Sequence, residues 1–277
     1  MSEQLLRIDG ATVTYRRPGL GRLTALDDVS LDREKGHVLG VVGESGSGKS
    51  TLARVICGLE SLDSGSVLFN GHPVGKLGLR RRPAEQIAIQ MVFQNPYASL
   101  NPRRTVASQI EDGLRACAGD QRWTVASLLE EVELDSGAAH LYPNEFSGGQ
   151  RQRIAIARAI AAGPDLLIGD EPIASLDASL QAKIARLMRN LALRTGASLM
   201  FISHDLAVVR VIADEVAVMN HGKIVERGHV EQVWNDPQDD YTRRLIAAIP
   251  LVDGLGNLGG ITPARSTGAA VVSRADG

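Results

Sequence analysis

Two glycine-rich stretches carry the densest chemistry in the sequence. The first, Gly43-Glu44-Ser45-Gly46-Ser47-Gly48-Lys49-Ser50-Thr51, has the spacing G-x-x-x-x-G-K-S. It follows the apolar run Val38-Leu39-Gly40-Val41-Val42 and opens a helical pattern from Lys49 to Cys57. A buried strand that runs through such a turn into a helix is the setting in which this spacing reads as a phosphate cradle. The glycines let the chain curl so that successive N–H groups point inward, and the helix beginning near Gly48 adds its positive end. Lys49 is expected to reach the β- and γ-phosphates. Ser50 is expected to offer its hydroxyl to Mg²⁺, a hard cation that prefers oxygen ligands. A plain glycine-rich connection is the competing reading, and the length and setting of the motif weigh against it.

The second stretch is Ser147-Gly148-Gly149-Gln150. Ser147 and Gln150 have the S-x-x-Q spacing of a capping box, and the helix they open runs to Gly163-Pro164. Two glycines in the first turn would expose N–H groups at a positively polarised end, which suits an anion. A simple helix cap is the alternative. Further candidates sit at strand ends. Leu166-Leu167-Ile168 delivers Asp170 and Glu171, and Ser198-Leu199-Met200-Phe201-Ile202 ends at Ser203-His204. Ligands of open α/β sheets bind at that edge. Asp170 is expected to hold Mg²⁺, Glu171 to orient or deprotonate an attacking water, and His204 to sense the γ-phosphate. Gln94, in Val92-Phe93-Gln94-Asn95-Pro96, is a candidate link between the metal and a helical insertion.

These groups need elements to position them. Leu6–Tyr15, Val29–Leu31 and Val67–Phe69 read as strands, with Asn70-Gly71 as a hairpin turn, so the opening third is strand-rich. Residues from about 95 to 155 shift to proline-punctuated turns and helical stretches, notably Val106–Ala116 and Trp123–Val132. Leu180, Ile184, Leu187 and Leu191 fall on one face of a later helix. Strands alternating with helices predict a mostly parallel sheet. Residues 1–250 are expected to form one domain and 251–277 a flexible tail.

Composition narrows the classes. At 277 residues and 44% apolar content the chain can bury a sizeable core. A formal net charge of -2 gives no global basic field for nucleic acid or an anionic membrane, and Arg80-Arg81-Arg82 reads as a solvated face. The 2 cysteines, Cys57 and Cys117, form neither a disulfide framework nor a metal cluster. No basic leader and no membrane-length apolar run is present in the sequence, so any membrane role is expected to come through a partner.

Taken together, these motifs resemble those of the ATP-binding subunits of ABC transporters, over nearly all of residues 5–250. Gly43–Thr51 is similar to the Walker A loop, Leu166–Glu171 to the Walker B strand, and Phe146–Gln150 to the signature motif. The resemblance implies an α/β fold: a P-loop NTPase (RecA-like) core, an N-terminal antiparallel β subdomain and an inserted α-helical subdomain. It further implies that Tyr15 stacks on adenine, Gln94 is the Q-loop glutamine, Ser175–Asp177 belongs to the D-loop and His204 is the switch histidine. ATP and Mg²⁺ are the implied ligands, and two such domains meet head to tail so that each signature caps the other's ATP. Phe146 stands where leucine is usual, Ile173-Ala174 replaces Thr-Ser, and Gly169 replaces a larger apolar residue. Glycine there is expected to loosen strand packing.

Lys49–Arg54, Val92–Arg103 and Asp240–Leu245 resemble the peptide and nickel importer branch. That likeness implies an ATPase at the cytoplasmic face of the plasma membrane. There it would drive permease subunits, pair with a second ATPase and act indirectly with a periplasmic or surface solute-binding protein. No cysteine follows Cys117, so no iron–sulfur cluster is expected. Di- or oligopeptide import leads; nickel or another solute, or a soluble non-transport ATPase, are the alternatives. A phosphate-loop kinase would leave Ser147–Gln150 unexplained.

Overall fold

The computed structural model describes residues 3–17, 19, 21–78, 82–95, 99–117, 122–174, 177–249, 251–252 and 258–259. Two long strands, β1 (Gln4–Arg17) and β2 (Gly21–Glu34), pair antiparallel from Gln4↔Glu34 to Arg17↔Gly21. β3 (Val38–Val42) then leads through the first glycine turn into α1 (Lys49–Ile56). β4 (Ser64–Phe69) and β5 (His72–Pro73) complete an antiparallel sheet of order β2-β1-β4-β5. The β4–β5 turn is the predicted Asn70-Gly71, with φ of 49° and 78°. Two successive left-handed residues match the twist of a tight hairpin.

The rest alternates. α2 (Ala84–Ile87) precedes β6 (Ile89–Val92), and the helical insertion follows with α3 (Val106–Ala116), α4 (Val125–Glu131) and α5 (Gly148–Ala161). Then come β7 (Leu166–Asp170), α6 (Ala178–Thr195), β8 (Ser198–Ser203), α7 (Leu206–Ile212), β9 (Glu215–Asn220), β10 (Lys223–His229), α8 (Val230–Asn235) and α9 (Asp240–Ala247). α3 has the predicted bounds. α4 starts later than Trp123 because the Thr124 side chain accepts from the Ser127 amide and caps it. At the C-terminal end, β11 (Leu251–Val252) pairs antiparallel with β12 (Leu258–Gly259), and the other residues of the expected flexible tail lie outside the described set.

The second sheet has the order β10-β9-β3-β8-β7-β6 and is parallel except for the β9–β10 hairpin. β3, β7 and β8 are buried at every residue, as strands covered on both faces must be. Their alternation splits the core in two. Leu39, Val41, Ile168, Met200 and Ile202 face α1 and the antiparallel sheet. Val38, Val42, Leu167, Leu199 and Phe201 face the helices of the opposite layer. Side by side in the order β3-β8-β7, the C-terminal ends of three strands place the phosphate loop, His204 and Asp170-Glu171 along one edge.

Two expectations are corrected. Arg82 is not part of a solvated arginine face: it is half-buried and donates to the Ile89 carbonyl at 3.3 Å, and burial lowers its pKa. Arg80 and Arg81 lie outside the described residues. Gly169 does not loosen its strand, because a Cβ there would come within 3.0 Å of both Met188 Cε and Pro172 Cγ. Those side chains already fill the space. Gly169→Val is therefore expected to lower stability by about 1–3 kcal/mol through overpacking, read as a fall in melting temperature; a rise would show that the strand was underpacked.

Candidate functional site

The loop between β3 and α1 is pressed tightly onto its surroundings. Gly43 and Gly48 have φ of 150° and 108°, and a Cβ would come 2.1 Å from the Met219 carbonyl and 2.3 Å from the Ala25 carbonyl, respectively. Only glycine allows that conformation and that approach together. Gly222 donates its amide to Ser47 O at 2.9 Å and Asp27 donates to Gly222 O at 2.9 Å, so the β9–β10 turn stitches the loop to β2. Ser45 and Gly46 are exposed at the loop's outer turn.

Lys49 is 3% exposed. Its ammonium donates to Gly43 O at 2.7 Å and Glu44 O at 2.8 Å, with Ser47 Oγ at 3.5 Å. Desolvation lowers its pKa, opposed by the carboxylates of Glu171, Asp170 and Glu44. Next in the chain, Ser50 donates its hydroxyl to Asp170 Oδ1 at 2.7 Å. Burial raises the Asp170 pKa above the usual carboxylate range, and the Ser50 hydrogen bond and Arg54 work against it.

Glu171 is the point of convergence. Its φ is 47°, a region sparsely populated by residues with side chains, and its amide donates to Ile202 O at 3.0 Å, anchoring it to β8. The carboxylate sits 3.9 Å from the Lys49 ammonium and 3.4 Å from His204 Nδ1, and accepts from Gln94 Nε2 at 3.4 Å. Gln94 follows β6, and the Phe93 carbonyl beside it accepts from Gln152 Nε2 of α5 at 3.4 Å. A carboxylate gripped by a cation, an amide and an imidazole, open toward a phosphate cradle, can hold and polarise a water molecule.

Tyr15, near the end of β1, is half-buried. Its hydroxyl donates to Glu60 Oε2 at 3.0 Å and shares a hydrogen bond with the Thr51 side chain on α1, and burial raises its pKa. Its neighbour Glu60 was not singled out by the sequence, and Tyr241, whose hydroxyl accepts from the Glu44 amide at 2.9 Å, was quoted only within the Asp240–Leu245 resemblance and given no role at the site.

The second glycine stretch forms the capping box: Gln150 donates its amide to Ser147 Oγ at 3.3 Å and Ser147 donates to Gln150 Oε1 at 2.9 Å. The two glycines differ in their surroundings. Gly148 is open, whereas Gly149 is buried, where a Cβ would lie 2.7 Å from Leu180 Cδ2. Gly149 lets α5 close on α6. Asp177 caps α6 by accepting from the Leu180 amide at 3.0 Å, which places the cap against the same leucine. Ser175 and Leu176 lie outside the described residues. Phe146, in place of leucine, is buried in the larger core.

Asp170 supplies a test of this electrostatics. Because its folded pKa is raised, its contribution to stability is present below the unfolded value and is lost as pH rises through the folded value. At pH 7 the buried charge therefore costs stability. Asp170→Asn keeps an acceptor for Ser50 and removes the charge, so the nucleotide-free melting temperature is expected to rise at pH 7 and to converge with the unmodified chain in acid. A lower melting temperature at pH 7 would contradict the assignment.

The comparisons agree with this geometry. A family model described as "ABC transporter" matches residues 26–174. The chain is 45% identical over 259 residues to the oligopeptide transport ATP-binding protein OppF of Bacillus subtilis, covering 91% of this chain and 85% of the relative. It is 45% identical over 233 residues to the dipeptide transport ATP-binding protein DppF of Haemophilus influenzae, covering 83% and 71%. Among solved structures, the dimeric post-hydrolysis state of the ATP-binding cassette MJ0796 bound to ADP and Pi aligns with TM-score 0.70 and 27% identity over 82% of this chain and 99% of that one. The ADP conformation of MJ1267, an ATP-binding cassette of an ABC transporter, aligns with TM-score 0.70 and 28% identity over 89% and 99%. With its phosphate loop, strand-end carboxylates and capped glycine helix on the expected scaffold, the chain belongs to the ABC transporter family as an ATP-hydrolysing component.

Proposed function

We propose that this chain powers the uptake of di- or oligopeptides by hydrolysing ATP against membrane permease subunits, working as one of a pair of ATPase domains. The observation that carries the hydrolytic reading is the convergence of Lys49, Gln94 and His204 on the Glu171 carboxylate at the edge of a parallel sheet. The names of the peptide-transport relatives support the substrate class.

In this reading the amides of residues 43–51 and the Lys49 ammonium hold the β- and γ-phosphates, and Tyr15 stacks on adenine. Glu171 orients a water for in-line attack and takes up its proton, while His204 stays against the γ-phosphate. The donor set at Ser50 and Asp170 consists of oxygens 2.7 Å apart, which fits a hard divalent cation. Ser50, Asp170 and the Gln94 amide would hold Mg²⁺, which would offset charge on the phosphates. Gln94 joins the site to the helical insertion through the Phe93–Gln152 contact and so passes motion toward a permease.

Ser147, Gly148 and Gln150 form an anion-ready helix end whose capping bonds are to each other, rather than to the phosphate loop of the same chain. A second copy or a related ATPase would bring such an end to this chain's nucleotide, with Gly149 and Asp177 shaping the junction. Among the described residues no helix is long and apolar enough to cross a membrane. We place the chain peripherally on the cytoplasmic face of the plasma membrane, with a solute-binding protein on the far side.

Glu171→Gln keeps the size and removes the base. Its kcat is expected to fall by about a hundredfold or more, with ATP binding retained and ATP-dependent dimers accumulating in size-exclusion chromatography; full turnover would sink the role given to Glu171. In the native host, the same variant as the only copy should abolish uptake of a labelled tripeptide. Normal peptide uptake with nickel uptake lost would move the substrate to nickel, and copurifying nucleic acid without permease would point to a non-transport ATPase.

A further inference from the structure

The segment Asp240–Leu245 has no part in the chemistry so far, yet it reaches the nucleotide loop. Tyr241, 8% exposed on α9, points its hydroxyl at the Glu44 amide and accepts its hydrogen at 2.9 Å. That amide shares a peptide plane with the carbonyl of Gly43, which accepts from the Lys49 ammonium at 2.7 Å. The peptide unit is planar and trans, so its N–H and C=O point in opposite directions and turn together. Holding one end fixes the direction of the other.

We infer that Tyr241 is a positioning residue of the phosphate loop: its hydroxyl sets the Gly43–Glu44 peptide plane and thereby the place of the Lys49 ammonium. The inference rests on the reading that Lys49 binds nucleotide phosphate. It assigns to the C-terminal helix a direct hold on the nucleotide site.

The hold is rigid at both ends. The Asp239 carboxylate caps α9 by accepting from the amides of Tyr241 at 2.8 Å and Thr242 at 3.4 Å. The start of the helix is fixed in turn to β10, where the Glu226 carboxylate accepts from the amides of Gln238 at 2.7 Å and Asp239 at 3.1 Å. Thr242 is fully buried, and Leu245 and Ile246 pack against the larger core. The Met219 carbonyl of β9 also lies close to Gly43, where a Cβ would come 2.1 Å from it. Both β9 and α9 thus approach the Gly43–Glu44 backbone, and β9 pairs with β10, the strand to which the start of α9 is fixed.

A tyrosine is suited to this task. Its ring is anchored by burial, and its oxygen reaches beyond the ring as a short, rigid acceptor. Phenylalanine would keep the ring in place and leave the Glu44 amide without its acceptor, so the plane would be free to rock and Lys49 with it.

The test compares Tyr241→Phe, Lys49→Met and the double variant in the full chain, by steady-state ATP hydrolysis and by equilibrium binding of a fluorescent ATP analogue. Tyr241→Phe is expected to raise the KM for ATP about three- to tenfold, of the order of one lost hydrogen bond, with kcat held within about twofold and the nucleotide-free melting temperature lowered by only about 2–4 °C. In the Lys49→Met background the same substitution should weaken analogue binding no further, because the hydroxyl acts through the ammonium. An unmoved KM, or equal weakening with and without Lys49, would overturn the inference while leaving the nucleotide reading intact. Failure of the unmodified chain to bind or hydrolyse ATP would overturn the reading beneath it.

Discussion

A lysine ammonium buried to 3% exposure is the constraint around which the site is arranged. A cation removed from water needs oxygens in its place. Here its own loop supplies them, through the carbonyls of Gly43 and Glu44, with Glu171 close by. The glycine backbone at Gly43 and Gly48 permits a turn tight enough to bring those carbonyls back onto the side chain. The strand order β3-β8-β7 supplies the carboxylates, because parallel strands separated by only β8 end on the same side of the sheet and set Asp170-Glu171 and the lysine at one edge. Two carboxylates near one ammonium leave little spare positive charge for a triphosphate. The balance favours a divalent cation at Ser50 and Asp170 and a positively polarised helix end brought from elsewhere.

That charge balance connects the two glycine stretches. The phosphate loop brings Lys49 and Ser50 within reach of Glu171 and Asp170 at the end of β7. The Ser147–Gln150 cap is built to the same standard, with Gly149 packed on Leu180 and Gly148 open. Its reciprocal capping bonds hold the helix end firmly. In the proposed pairing, a preorganised helix end of this kind costs little to use when a partner's nucleotide arrives. The Gln94 and His204 contacts to Glu171 tie the carboxylate to the segments that follow β6 and β8.

The fold and the site were legible in the sequence to different depths. Apolar runs such as Leu166–Ile168 and Ser198–Ile202 mark fully buried strands without ambiguity, because nothing polar interrupts them. The phosphate loop announces itself through residue types at fixed spacing. By contrast β9 and β10 escaped notice, since Glu215–Asn220 mixes polar ends with a short apolar centre and Lys223–His229 is an exposed edge strand. The Glu171–Gln94 and Glu171–His204 contacts unite residues 77 and 33 positions apart, so they are products of strand order rather than local pattern. Tyr15 was singled out by resemblance alone, and its bond to Glu60, 45 positions away, leaves no mark in the local pattern. Gly169 shows the converse: a residue that looks weak in isolation is matched by Met188 and Pro172, which no local reading of the strand reveals.

A site shared between two copies is tested most directly by mixing two variants that are each inactive. Lys49→Ala removes the phosphate lysine and leaves the helix end, whereas Gly148→Asp, at a position where a Cβ meets nothing within 4 Å, leaves the phosphate loop and places a carboxylate where the anion would sit. A mixed dimer holds one junction with both halves intact. Mixing the two should restore ATP hydrolysis to a fraction of the unmodified rate, and only in the presence of Mg²⁺. Hydrolysis that stays at the level of the separate variants would contradict a nucleotide site completed across two chains.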